Sequence, residues 1–127
     1  MILVFFTTNY RDGGAQFERV ARTLGEERGQ RVISADGQTP SVKVIEVNSK
    51  RAWIEMMISY SAASPISELH FVGHGGIYGP MLGTTSWPEQ LSPYEWRTLV
   101  DPERGTGRVQ LARGAEVFIH TCRSARW

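Results

Sequence analysis

The chain has 127 residues and a mass of 14.3 kDa, enough for one hydrophobic core and too little for two. Apolar residues make up 41% and charged residues 21%, ordinary globular usage that excludes disorder and collagen-like repeats. Fourteen basic and thirteen acidic residues leave a formal charge of +1, so no electrostatic case exists for a nucleic-acid partner, and a lone cysteine, Cys122, excludes both an intrachain disulfide and a four-cysteine zinc site.

In chain order, Ile2–Thr7 is a continuous apolar run, the pattern of a strand buried on both faces. Its apolar stretch is too short, and lacks the basic lead and cleavage pattern, for a signal peptide. No stretch approaches the roughly 20 apolar residues that span a bilayer. These features predict a soluble, cytoplasmic protein with no membrane partner. After the Arg11-Asp12-Gly13-Gly14 loop, Phe17, Val20, Ala21 and Leu24 recur at helical spacing, with Gly25 or Gly29 as the expected stop. Glu26-Glu27-Arg28 reads as a solvated helix end. Val42–Val47 is a second strand, and Asn48-Ser49 caps a helix over Ala52–Ala63 that carries Trp53, Met56, Met57 and Tyr60 inward. Ser64-Pro65 ends it.

Glu68–Gly73 forms a third strand that runs into the glycine-rich loop His74–Gly79. The segment from Pro80 to Gly107 is rich in turns and contains one short helix, Pro93–Val100. Ala115–His120 is a fourth strand, followed by Thr121-Cys122. Strands alternating with helices of this length predict an α/β fold with right-handed crossovers and a mainly parallel sheet covered on both faces. The whole chain, residues 1–127, is expected to be one domain.

In such sheets, functional groups gather beyond the C-terminal ends of the strands. The third strand ends in Gly73-His74-Gly75 and the fourth in Thr121-Cys122. If these strands are neighbours, about 4.8 Å apart, a thiol and an imidazole meet at one rim, the minimum for nucleophilic attack on a carbonyl. The amides of Gly75 and Cys122 are then the candidates to face an oxyanion.

Two blocks, Leu69-His-Phe-Val-Gly-His-Gly75 and Glu116-Val-Phe-Ile-His-Thr-Cys-Arg-Ser-Ala125, together resemble the caspase-like cysteine peptidases, the group of caspases, metacaspases, gingipains and bacterial CHAT domains. The ending Cys-Arg-Ser-Ala is similar to the Cys-x-Ser/Thr-Gly/Ala of CHAT domains. The resemblance implies a three-layer caspase-like sandwich, a peptide or protein substrate, and endopeptidase chemistry with His74 and Cys122 as catalytic residues. It implies Gly75 and Cys122 as oxyanion hole and no metal or organic cofactor. The loop after the first strand would read the substrate residue: Arg11 would favour an acidic one and Asp12 a basic one, and the residues do not choose between them. Family members continue past the cysteine with a helix and further strands, whereas this chain stops at Trp127. The expectation is therefore an N-terminal, large-subunit-like part. Its fourth strand would be an apolar edge open to a small-subunit or homo-oligomeric partner, as in an inactive interaction module.

Other readings carry less. A flavodoxin-like nucleotide binder fits the alternation but lacks the phosphate loop. Gly73-x-Gly75-x-x-x-Gly79 approaches a dinucleotide fingerprint but opens no helix. His74-Gly75-Gly76 is similar to the oxyanion motif of lipases, without their Gly-x-Ser-x-Gly nucleophile elbow. His70 and His120 share spacing with His74 and Cys122 that would suit zinc, but no carboxylate or second thiolate completes a set. They read instead as core or lining histidines with a satisfied ring nitrogen.

Overall fold

The computed structural model describes residues 1–8, 14–31, 37, 41–76, 79–80 and 90–121. Its order is β1 (Ile2–Phe6), α1 (Gly14–Arg31), β2 (Val42–Glu46), α2 (Lys50–Ala63), β3 (Ile66–Gly73), β4 (Gly75–Gly76), β5 (Gly79–Pro80), α3 (Pro93–Val100) and β6 (Leu111–Thr121). The four long strands form one sheet in the order β2-β1-β3-β6, every pair parallel. The fold is thus the expected α/β sandwich of three layers. Residues β4 and β5 form a small antiparallel pair beyond the end of β3.

Central parallel strands have both faces covered, and β1 and β3 meet this with side chains of opposite parity. Ile2, Val4, Phe6 and Val72 pack with Ala21, Phe17 and Leu24 under α1. Leu3, Phe5, Leu69 and Phe71 pack on the other face against Trp53 and Met57 of α2, with Trp96 and Leu99 of α3 beside them. Trp53 anchors this second core, with its ring 4.9 Å from that of Phe71 and edge-on to Phe5 at 6.1 Å. Val20 and Met56, both expected inward from their spacing, are instead 39% and 40% exposed at the margins of their helical stripes.

Strand β3 and helix α2 each begin two residues earlier than expected, and two boundaries differ by more, for physical reasons. Helix α1 runs past both Gly25 and Gly29 to Arg31. A Cβ at Gly25 would lie 2.5 Å from Cγ2 of Val44, so this glycine lets the helix sit down on β2 rather than stopping it. Strand β6 begins at Leu111, four residues earlier than expected. Leu111 pairs with Ile66 and Glu116 with Glu68, so the register breaks between them, and Gly114 there has φ 77°. The caps follow ordinary chemistry. Ser49 accepts from the Ala52 amide at the start of α2, and Ser92 with Glu95 closes a capping box on α3. Among the described residues no helix is long and apolar enough to cross a membrane.

Candidate functional site

The strand order changes direction at β1: β2 lies on one side of it and β3 on the other. A crevice at such a switch point, beyond the C-terminal strand ends, is where open α/β sheets hold their chemistry. Here the rim is drawn tight. Asn48 Oδ1 accepts from the Thr7 hydroxyl at 3.0 Å and the Thr8 amide at 2.9 Å, while its amide nitrogen donates to Glu46 at 2.7 Å. Thr7 also donates its backbone N–H to the Val72 carbonyl at 3.3 Å. A Cβ on Gly73 would meet Thr7 Cγ2 at 2.6 Å, so only glycine lets the end of β3 lie this close to β1.

His74 follows directly on β3. It is half-buried, and its ring stands edge-on to Phe17 of α1 at 4.9 Å and 85°. This sets the imidazole on the α1 side of the sheet. Gly75 opens β4 and pairs with Pro80. Strand β6 is the immediate parallel neighbour of β3, and the last described pair in their register is Gly73 with Thr121. The residues before the two expected catalytic positions therefore lie side by side. Cys122 itself, and Arg11 and Asp12 of the expected specificity loop, lie outside the described residues.

One feature was not read from the sequence, a polar chain that runs from the N-terminal end of β3, where Glu68 pairs with Ile2, toward the rim at His120. Arg28 reaches down from α1 onto Glu68, with its Nε donating to Oε1 at 2.8 Å and its Nη2 to Oε2. Glu68 Oε1 also faces His70 Nε2 at 2.8 Å, and His70 Nδ1 faces His120 Nε2 at 3.0 Å. The His70 ring stacks on Phe118 at 4.8 Å and on His120 at 5.3 Å. Glu68 is 6% exposed and His70 3%, so the chain is buried along most of its length. Arg28 is thus no solvated helix end, and a carboxylate does lie beside His70. The signal was present in the phase of α1: positions 17, 21, 24 and 28 fall on one helical stripe, so Arg28 shares the face of Phe17 and Leu24.

Both histidines have the satisfied ring nitrogen expected of them. Among the described residues no group of three His, Cys, Asp or Glu could hold a metal ion. Burial pushes the Glu68 pKa up, but hydrogen bonds from Arg28 and then His70 outweigh it and hold the carboxyl below its ordinary value. His120 is shifted below the ordinary histidine value, first by burial and then by neighbouring His70.

The α2 face of the β3–β6 pair is apolar. A cavity of about 300 Å³ is lined by Trp53, Leu91 and Trp96 together with the neighbouring sheet residues Leu69 of β3 and Val117 and Ile119 of β6. Val117 and Ile119 are 41% and 42% exposed. Comparison with protein-family models, with curated proteins and with solved structures found no match.

Proposed function

We propose that this chain is a caspase-like cysteine endopeptidase domain of bacterial type, or the large-subunit-like part of one. In this reading Cys122 is the nucleophile and His74 its partner. The observation that supports it is the adjacency of β3 and β6, with Gly73 and Thr121 as register partners. An intervening strand would have parted the two groups. The position of His74 one residue past the strand end, braced by Phe17, also fits a side chain held at the rim for use.

The chemistry requires little else. The Cys122 thiol gives its proton to His74 and attacks the peptide carbonyl as the thiolate, and the oxyanion of the tetrahedral adduct is held by the Gly75 and Cys122 amides. The C–N bond breaks as His74 delivers a proton to the leaving amine, leaving a thioester on Cys122. Water then adds, His74 takes its proton, and the acid product leaves as the thiol is restored. The substrate is a peptide or protein, read in this proposal by Arg11 or Asp12. A cytoplasmic setting goes with this reading, which keeps the thiol reduced.

Cys122→Ala and His74→Ala should each abolish peptide cleavage by the full-length protein while leaving its circular dichroism unchanged. Iodoacetamide and a peptidyl electrophile should label Cys122, and the labelling should slow in His74→Ala. Failure of Cys122 to react in the folded, full-length protein would end the peptidase proposal.

A second reading, a caspase-like interaction module without activity, is favoured by the half-exposed Val117 and Ile119 on edge strand β6. A partner strand beside β6 would cover them and close the cavity. Light scattering at high concentration separates the two: a stable monomer that cleaves peptides argues against the module.

A further inference from the structure

We infer that His70 and His120 act as a one-proton pair that couples uptake of a second proton to release of the end of β6 from the sheet. The inference stands on the hydrogen-bond chain and does not rest on the peptidase reading.

The carboxylate of Glu68, already held by Arg28, can only accept, so His70 Nε2 carries a hydrogen. In the neutral pair the 3.0 Å contact is then His120 Nε2–H donating to His70 Nδ1. A first proton arriving at His120 Nδ1 needs no rearrangement of heavy atoms. The Nε2 hydrogen passes to His70 Nδ1, which leaves an imidazolium at His70 against Glu68 and reverses the direction of the same bond. A second proton has no such place. Both nitrogens that face each other would then carry hydrogens, and two cations would stand at hydrogen-bond distance.

The groups around the pair make this asymmetry firm. Arg28 comes from α1, Glu68 lies on β3, and Glu116 of β6 is register partner to Glu68. Glu68 is already occupied by Arg28 and His70. Phe118 covers His70 and offers no charge. The second proton is accommodated by moving His120 away, and His120 lies on a strand bonded within the described residues to β3 alone. Release of His120 therefore frees the segment that ends at Thr121, the rim of the candidate site.

The test is hydrogen exchange of the backbone amides of the full chain between pH 7.5 and 5, corrected for intrinsic rates. Protection over residues 117–121 should fall about tenfold for each pH unit once the second proton binds, while β1 and β2 keep theirs. His120→Gln retains an N–H donor toward His70 but cannot take a proton, and its β6 protection should stay flat. Nitrogen-15 spectra of wild-type histidines should show the pair titrating in two separated steps, a readout that needs no variant. A flat wild-type profile, an equal fall in His120→Gln, equal loss across β1, or one shared titration step would each overturn the inference.

Discussion

One substitution made at two positions of α1 should act in opposite directions. Gly25 and Gly29 both lie inside the helix and both face β2, but at different distances. A Cβ at position 29 would stand 3.7 Å from Val42 Cγ2, an ordinary contact, so Gly29→Ala should gain the helix propensity of alanine, up to about 1 kcal/mol. At position 25 the same methyl would stand 2.5 Å from Val44 Cγ2. Val44 has one stiff torsion and lies between the helix and the sheet, so relief means shifting α1 or β2. Overpacking of this kind costs about 1–3 kcal/mol, against the same propensity gain. Gly25→Ala should therefore be destabilised by up to about 2 kcal/mol, and the two variants should differ by about 1–3 kcal/mol. Urea unfolding read by circular dichroism measures both at a shared slope. If Gly25→Ala proves as stable as Gly29→Ala, the glycine is a tolerated accident and the close packing of α1 on β2 is refuted.

Two further outcomes follow from the polar contacts. Arg28→Met removes the cation from a buried carboxylate and should cost about 3 kcal/mol in urea unfolding at pH 7, the lower end of the range for breaking a buried pair, because Arg28 is one-third exposed. Glu68 and Glu95 are both held below the ordinary carboxylate value, so their unfolded forms bind protons first. Stability should fall as the pH drops below about 4.3, and it should fall less steeply in Arg28→Met. Ser92→Ala opens the capping box on α3 and should cost about 1 kcal/mol, which Ser92→Asp restores. Thermal melts of the three proteins would show this directly.

The first strand was legible because a parallel strand buried on both faces demands an unbroken apolar run. Ile2–Phe6, with all five residues buried, announces itself for that reason. Helix α3 was legible to its ends because proline at its first position leaves no choice of start. The glycines of α1 were misread because a glycine that permits close approach and one that ends a helix look alike until the neighbour is known. The early start of β6 was hidden by Arg113 and Gly114, a break in register rather than in the strand. At the rim, His74 stood out through its place after an apolar strand. Arg28, at the opposite end of the strands, did not, since three charged residues in a row read as solvent-facing unless each is assigned its own helical phase.

Strand β6 carries two unlike faces, and the difference bears on what the rim can do. On the α1 side its end is fixed by directional contacts: His120 bonded to His70, Phe118 stacked on the same ring, and the chain running on to Glu68 and Arg28. On the α2 side it offers only Val117 and Ile119, each about two-fifths exposed beside an apolar cavity. Apolar burial alone would hold such a strand without setting its rotation, because hydrophobic contact has no preferred direction. Hydrogen bonds supply the missing constraint: a slip of one residue would turn His120 away from His70 and break the bond to its Nδ1. The polar chain thus does for register what a complete second core would do elsewhere. It also makes the alignment of Gly73 with Thr121, on which any chemistry at this rim depends, sensitive to the protonation of two imidazoles.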